Sequence, residues 1–530
     1  MTYFIVIYVI CAIYMTLNFK YDLQMFQQNS YRFSRYWKWL RPRLGSSWRL
    51  VDVACLFLLM APQLLDIRLS AFVVAVVSLT KIFLILRRKS KKPLVMTRRV
   101  WRLYSLTAAL ALGGGVAVAL CTAAHPVGIY SAPAVTVGYM MLVGILSWAV
   151  MLLAHMLLVP VEKAIQRGYI NDARRILRSM PGLRVVGITG SYGKTSTKHY
   201  LTRILSEEFD VLMTPGSYNT PMGVVRTIRE YLKPYNQIFV CEMGAKQKGD
   251  IKEICDIVHP EMGIVTAVGP MHLESFKSLE NVCSTKFELV DALPSDGCAV
   301  INNDFAPCAE RTVSNVPALR YGIVSTEGCD YIASDVRYTP DGTFFTVEGP
   351  DGFRLELETR LLGECNVSDI LAAVIIALRL GVPAEKIRYA VASIEQVEHR
   401  LSIKRTPGGV TIIDDAFNSN PAGSRMAVDV LSHFRDGKRI IVTPGMIELG
   451  TEQHTLNKAF GRHAGENLDV VIVVGEHNRK AIVEGVNESG FDKKNLHEVA
   501  DFNEAQQVLA SILAPGDTVL YENDLPDTFK

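Results

Sequence analysis

The chain has 530 residues, 49% of them apolar and 21% charged, too long for one ordinary domain and too apolar to be disordered. Its net charge of +3 hides a split: residues 1–165 hold 18 Lys/Arg against 4 Asp/Glu, net +14, and the remainder, with 38 against 49, is −11. A basic, apolar front on an acidic body excludes a nucleic-acid binder with one basic face and points to a membrane anchor on a cytoplasmic enzyme.

Five apolar stretches precede residue 160, at roughly 2–18, 51–66, 69–86, 104–123 and 129–158, some of them near the ~20 residues a spanning helix needs. The first lacks a basic leader and a small-residue cleavage site, which argues against a signal peptide. Lys20, Arg32, Arg35, Lys38, Arg41, Arg43 and Arg49 lie between the first and second stretches. Arg87, Arg88, Lys89, Lys91, Lys92, Arg98, Arg99 and Arg102 lie between the third and fourth. Short loops around Asp66–Arg68 and His125–Pro126 complete the set. Basic loops face the cytoplasm. Five crossings therefore place the N-terminus outside and the body inside: a multi-pass protein of the cell membrane. Trp37, Trp39, Trp48 and Trp101 sit in the basic flanks, where interfacial tryptophan is expected. Lys81, inside the third stretch, reads as a lysine snorkelling to the interface.

Residues 160–182 read as an amphipathic connector that starts at Pro160 and stops at Met180–Pro181–Gly182. From Leu183 onward β-branched runs alternate with helical periods. The spacing predicts strands at 183–189, 237–242, 263–268, 298–302, 410–414, 439–443, 469–474 and 517–521, an α/β fold with mostly parallel sheets. A β-meander is expected over 330–360, with turns at Pro340–Gly342 and Gly349–Gly352. The organisation is therefore a transmembrane region (1–159), a connector (160–182), a central domain (183–398) and a C-terminal domain (399–530). The ten cysteines form no C-x-x-C pair, so neither a zinc ribbon nor a disulfide framework is expected.

The predicted strand 183–188 runs into Thr189-Gly190-Ser191-Tyr192-Gly193-Lys194-Thr195-Ser196 and then a helical pattern. A strand, a glycine turn and a helix N-terminus aim backbone N–H groups at an anion. Gly190 and Gly193 let the backbone approach phosphates, Lys194 matches a cation for the β/γ-phosphates, and the Thr195 hydroxyl matches a Mg²⁺ ligand. The strict G-x-x-x-x-G-K-[ST] pattern is not met, because position 188 is Ile.

This loop resembles the ATP loop of the Mur ligases, the ATP-dependent amide-forming enzymes of cell-wall peptide synthesis. Five further segments follow in that family's order: Thr214–Val224, Cys241-Glu242-Met243-Gly244-Ala245, Gly269-Pro270-Met271-His272-Leu273-Glu274 with Lys286-Phe287-Glu288, Asp414–Pro421, and Met446-Ile447-Glu448-Leu449-Gly450. They most resemble the branch that adds D-alanyl-D-alanine and cover about 183–525. The resemblance implies that a Mur-type P-loop ATPase domain and a Rossmann-like C-terminal domain follow the bundle of about five transmembrane helices read from the apolar stretches. It implies ATP and Mg²⁺ as cofactors, with Thr195, Glu242, His272 and a carbamylated Lys286 as metal ligands. Lys194, Lys286 and His272 are then the catalytic candidates. Gly190, Ser191, Gly193, Lys194, Thr195, Ser196, Asn302, Asn366, Arg400, Asp415 and Asn418 are the nucleotide contacts.

The function implied is ligation. A carboxylate is activated as an acyl phosphate, and the amine of an amino acid or dipeptide attacks it. Positioning and charge neutralisation are what the protein supplies. Three departures from the family pattern stand out. The membrane segments take the place of the domain that holds a uridine nucleotide in the soluble ligases, so a lipid-linked acceptor joins a UDP-linked one as an expectation. Cys365 and Asp369 replace a His and an Asn. Thr443-Pro444-Gly445 and Tyr521-Glu522-Asn523-Asp524-Leu525-Pro526-Asp527 replace L-G-D and a basic K-G-S-R segment, which changes what carboxylate the third domain can clamp. The alternatives are a ligase of another peptide or a poly-γ-glutamate-like polymer, and a membrane scaffold with an inactive ligase body.

Overall fold

The structure, a computed structural model, describes residues 2–60, 67–87, 92–124, 132–339, 342–416 and 419–524. The chain divides into two units, one up to Gln166 and the other from Arg167 to Leu525.

Among the described residues the first unit is helical: α1 (Thr2–Gln28), α2 (Phe33–Leu40), α3 (Ser47–Met60), α4 (Ile67–Arg87), α5 (Arg98–Ala124), α6 (Ala132–Ile145) and the first part of α7 (Ser147–Arg178), which continues past Gln166 into the second unit. Among the described residues, four segments are long and apolar enough to cross a membrane: Val6–Gln28, Leu69–Arg87, Arg98–Ala124 and Ser147–Arg178. The fifth expected stretch is not one helix. It breaks at Leu146 into α6 and α7, and the 14 residues of α6 reach only about 21 Å, short of a ~30 Å hydrocarbon core. The second stretch is helical to Met60; residues 61–66, like Arg88–Lys91 and His125–Pro126 in the loops, lie outside the described residues. The connector does not begin at Pro160 either. That proline lies inside α7, which continues to Arg178, so its missing N–H is accommodated within a continuous helix.

Lys81 corrects the snorkelling expectation. It is 5% exposed, and its Nζ lies 2.6 Å from Asp52 Oδ1 and 2.5 Å from the Trp48 carbonyl. A buried ammonium with a carboxylate one helix away gains more by pairing than by reaching for water. Along α1, Tyr14, Asn18 and Asp22 lie four residues apart and so share one face. Tyr14 donates to Asp52 (2.7 Å), Asn18 to the Gly144 carbonyl (3.4 Å), and Asp22 accepts from Tyr36 (3.1 Å) and Ser147. Trp39 is buried in the bundle, with the Arg43 guanidinium 4.9 Å from its ring, while Trp101 is exposed.

The second unit carries two sheets. In the first, β1 (Arg184–Thr189), β2 (Val211–Met213), β3 (Ile238–Glu242), β4 (Met262–Val265), β5 (Cys298–Asn302), β6 (Ala318–Gly322), β7 (Tyr331–Thr339), β8 (Gly342–Glu348) and β9 (Arg354–Thr359) are ordered β2-β3-β1-β4-β5-β6-β7-β8-β9. Pairing is parallel from β2 to β7, and β7-β8-β9 is the expected antiparallel meander. The parallel strands are buried on both faces, as their unbroken Val/Ile runs require. Helices α8 (Lys194–Leu205), α9 (Pro221–Glu230), α10 (Asp250–Val258), α11 (Leu273–Phe276), α12 (Leu279–Asp291), α13 (Ala306–Ala309), α14 (Glu364–Arg379) and α15 (Ala384–Ala392) complete this part. Residues of α8 and α14 pack in one core cluster and residues of α10 and α12 in another.

The second sheet has the order β10-β11-β15-β12-β13-β14, from β10 (Ser402–Arg405), β11 (Thr411–Asp415), β12 (Arg439–Thr443), β13 (Val470–Val474), β14 (Leu496–Val499) and β15 (Thr518–Glu522). Only β10 runs antiparallel. Its helices are α16 (Pro421–Ser432), α17 (Gln453–Asn467), α18 (Arg479–Glu488) and α19 (Phe502–Ile512). All eight expected parallel strands are present; the one expected at 263–268 ends at Val265. The short strands β2, β6, β10 and β14 lie outside the expected set.

Candidate active site

The site begins where β1 ends. β1 pairs with β3 on one side and β4 on the other, so the sequence order of strands reverses there, the point at which open α/β sheets bind ligands. Thr189 donates to the Met243 carbonyl (2.9 Å), and Ser191 N–H donates to the Ala267 carbonyl (2.7 Å). The loop is thus braced from both neighbouring strands. Gly190 has φ +152° and Gly193, the N-cap of α8, φ +75°. A Cβ would lie 2.1 Å from Thr266 Oγ1 at the first and 2.3 Å from Asp369 Oδ1 at the second, so glycine is required at both. The N–H groups at the start of α8 have no intrahelical acceptor and face the loop mouth. Lys194 folds back and donates to the carbonyls of Gly190 (2.7 Å) and Ser191 (3.2 Å). Burial pushes its amine down to about 8, against the opposing charges of Glu242 and Asp369.

Glu242 closes β3 and is 1% exposed. Both its oxygens lie 3.2 Å from the Thr195 hydroxyl, and Asn219 Nδ2 donates to it at 2.9 Å. Lys198 Nζ is 3.1 Å from Glu242 and donates to the Gly216 carbonyl at 2.6 Å. Burial raises the Glu242 carboxyl, but Lys198 and Lys194 outweigh it and hold it below its ordinary value. Neither Lys198 nor Asn219 was picked out from sequence. The signal for Lys198 is its place four residues after Lys194, one turn along α8.

His272 sits in the loop after β4, with φ +53°, and its Nδ1 contacts Glu448 Oε2. Burial draws its imidazole below the usual value while Glu448 pulls the other way. Lys286, on α12, is 4% exposed. Burial, then the Lys194 charge, drives its amine well below the ordinary lysine value. Its charge is felt at His272, and no ion pair to it is found among the described residues.

The remaining candidates divide. Arg400 is electrostatically coupled to Asp415, Glu242 and Asp369, so a residue at the foot of the second sheet shares the field of the phosphate loop. Asp415, at the end of β11, accepts from Leu401 N–H (3.3 Å), and burial with the nearby Glu522 raises it to about 7. Asn302 and Asn366 have their amides engaged within the protein. Asn302 donates to the Thr266 carbonyl (2.9 Å) and Ser368 (3.0 Å); Asn366 accepts from Tyr200 (2.6 Å) and donates to the Leu362 carbonyl (2.8 Å). Asn418 lies outside the described residues. Asp369 accepts from Thr197 (3.0 Å), and burial raises it to about 8. Glu522, the acid in place of a family base, is fully buried and accepts from Ser419, Ser424 (2.8 Å) and Thr443 (2.6 Å).

These donors suit a nucleotide with a divalent cation: a carboxylate facing a hydroxyl, an imidazole, and a buried lysine whose charged form burial disfavours. Among the described residues no three His, Cys, Asp or Glu converge on one point.

The chain matches the Mur ligase middle domain over residues 188–377 and the Mur ligase glutamate ligase domain over 399–521, together more than half its length. It is 30% identical over 345 residues to the UDP-N-acetylmuramoyl-tripeptide–D-alanyl-D-alanine ligase of Escherichia coli K12, covering 64% of this chain and 75% of that one. Identity to the enzyme of that name from Bacillus subtilis 168 is 28% over 344 residues, covering 64% and 73%. Among solved structures it is similar to MurF from Acinetobacter baumannii (TM-score 0.62, 27% identity, covering 68% of this chain and 78% of that one). It is also similar to MurF ligase from Thermotoga maritima in complex with ADP (0.60, 28%, 68% and 80%). The chain belongs to the Mur ligase family: it is an ATP- and Mg²⁺-dependent carboxylate–amine ligase of cell-wall precursor synthesis, with a multi-pass membrane segment at its N-terminal side.

Proposed function

We propose that the enzyme joins D-alanyl-D-alanine, or a closely similar amino acid or dipeptide, to the peptide carboxylate of a peptidoglycan precursor held at the membrane. The names of its relatives support the amine and the peptide. The membrane unit, which lies outside both family matches, supports a lipid-linked acceptor. The observation that carries the reading is the Thr195 hydroxyl against the Glu242 carboxylate, 3.2 Å apart at the mouth of the phosphate loop.

In this reading the N–H groups of the loop and α8 hold the ATP phosphates. Lys194 leaves the Gly190 and Ser191 carbonyls to neutralise the β- and γ-phosphates. Thr195, Glu242, His272 and carbamylated Lys286 would hold Mg²⁺, which would supply charge neutralisation for phosphoryl transfer. The carbamate forms when the neutral Lys286 amine adds to CO₂ and releases a proton. The acceptor carboxylate attacks the γ-phosphorus and ADP leaves. The incoming amine then attacks the carbonyl carbon of the acyl phosphate, the carbon–oxygen bond to phosphate breaks, and the amine gives up a proton. Ser191, Ser196, Asn302, Asn366, Arg400, Asp415 and Asn418 complete the nucleotide contacts.

The test is amide formation by the full-length protein in lipid nanodiscs. It is supplied with ATP, Mg²⁺, D-alanyl-D-alanine and either a lipid-linked or a UDP-linked tripeptide precursor, and products are read by mass spectrometry. Product from the lipid-linked precursor, lost in Lys194→Ala, is the expected result. Product from the UDP-linked precursor alone overturns the membrane-held acceptor, and equal product from Lys194→Ala overturns the phosphate-loop assignment.

A further inference from the structure

His272 and Glu448 come from opposite sheets of the second unit. His272 follows β4, and Glu448 lies in the Met446–Gly450 segment after β12. Two contacts join the segments: His272 Nδ1 to Glu448 Oε2, and the Glu274 N–H donating to the Glu448 carbonyl at 3.3 Å. Both residues hold the left-handed backbone conformation, φ +53° and +63°, which non-glycine residues keep only when their surroundings dictate it.

The surroundings of Glu448 do so. Met446 N–H donates to Asn457 Oδ1 at 2.9 Å. The Met446 carbonyl accepts from Asn457 (3.1 Å), Asn478 (2.9 Å) and Gln453. Leu449 N–H donates to Gln453 Oε1 at 3.1 Å. Asn457 and Asn478 are 0% and 4% exposed. A buried amide cluster therefore fixes the loop and aims the carboxylate.

An ionised carboxylate only accepts hydrogen bonds, so the contact requires the proton on Nδ1 and leaves the lone pair on Nε2. Nε2 makes no hydrogen bond to another described residue. Histidines that ligate metals through one nitrogen commonly give the other N–H to such a carboxylate, which fixes tautomer and ring orientation.

We propose that Glu448 is the positioning residue for His272: it accepts the hydrogen bond from Nδ1–H and turns Nε2 toward the cation, so that the metal site is completed by a group from the C-terminal sheet. This rests on the reading of His272 as a metal ligand given above. Cation affinity then depends on the two sheets being apposed, which ties metal binding to closure of the active site.

The experiment uses the full-length protein with saturating ADP and measures Mn²⁺ binding by electron paramagnetic resonance. Glu448→Ala is expected to weaken Mn²⁺ about 10–100-fold. Glu448→Gln, isosteric and still able to accept from Nδ1–H through its amide oxygen, is expected to weaken it much less. The double variant His272→Ala/Glu448→Ala should bind no more weakly than His272→Ala alone. ADP affinity without metal, unchanged in each variant, shows that the fold is intact. Wild-type Mn²⁺ affinity in Glu448→Ala, with His272→Ala weakened, overturns the proposal and leaves the metal site standing. Equal losses in Glu448→Ala and Glu448→Gln also overturn it, because charge rather than the Nδ1 acceptor would then be at work. Wild-type affinity in His272→Ala removes the metal-ligand reading itself.

Discussion

Lys198 lies 3.1 Å from Glu242, and both are withdrawn from solvent, at 0% and 1% exposure. The pair joins the helix that follows the phosphate loop to the strand end beside it. Through the Gly216 carbonyl it also reaches the segment that contains Asn219.

Removing one member of such a pair leaves an uncompensated buried charge, at a cost of roughly 3–5 kcal/mol. Lys198→Met should therefore lower the melting temperature of the ligase body clearly and reduce ligation at least about tenfold. Lys198→Met combined with Glu242→Gln should recover much of the stability, because no charge is left unpaired, and none of the ligation. Thermal melts and product assays on the three proteins check this. A double variant less stable than Lys198→Met would show that the pair is not what the single change broke.

Lys286 should carry a carbamate. Lys286→Ala is expected to lose nearly all ligation while still binding ADP. Short carboxylates such as acetate should restore part of the activity by filling the vacated position with an anion, and bicarbonate should not. Full activity in the unrescued variant would remove Lys286 from the mechanism.

Asp369 gives a pH signature. Burial raises its carboxyl from 3.8 to about 8, so between those values the unfolded chain has released a proton that the folded chain retains. An acid raised on folding loses stability as pH rises through this window, and the loss levels off above about 8. Asp369→Asn, which still accepts from Thr197, removes the dependence. The variant should match the wild type near pH 4 and become progressively more stable than it from pH 5 to 8, by on the order of a few kcal/mol. Melting temperatures across this range read the difference. A gap that is constant with pH would place the carboxyl at its ordinary value.

With α3 crossing beside the four long apolar helices, both basic loops and the ligase body are expected on the cytoplasmic side. A reporter fused after Lys530 should be active only if it functions inside the cell. A soluble form starting near Gly168 should keep nucleotide binding, because the phosphate loop and both sheets remain. It should lose most ligation in cells if the membrane unit presents the acceptor. Full ligation by the soluble form at matched concentration would reduce the membrane unit to an anchor.

By itself the sequence determined what is local. Eight parallel strands and the phosphate loop were legible because β-branched runs and a glycine turn before a helix act over a few neighbouring residues. Glu242 was legible because it ends such a run. Charge asymmetry and apolar length marked the membrane segment, though not the break at Leu146, where no proline or charge interrupts the apolar run. Tertiary structure decided which side chains meet. Lys81 is an isolated cation in sequence, and only the packing of α3 on α4 gives it Asp52. His272 and Glu448 lie 176 residues apart, and their contact exists because two sheets, each with its own register, bring their loops together. Asn302 and Asn366 were legible as candidate nucleotide contacts, but not the partners their amides find in the fold, Thr266, Ser368, Tyr200 and Leu362. Periodicity encodes which face of an element is buried, but not which element covers that face. The pairing of charges and polar groups across the core is fixed only when strand order is fixed.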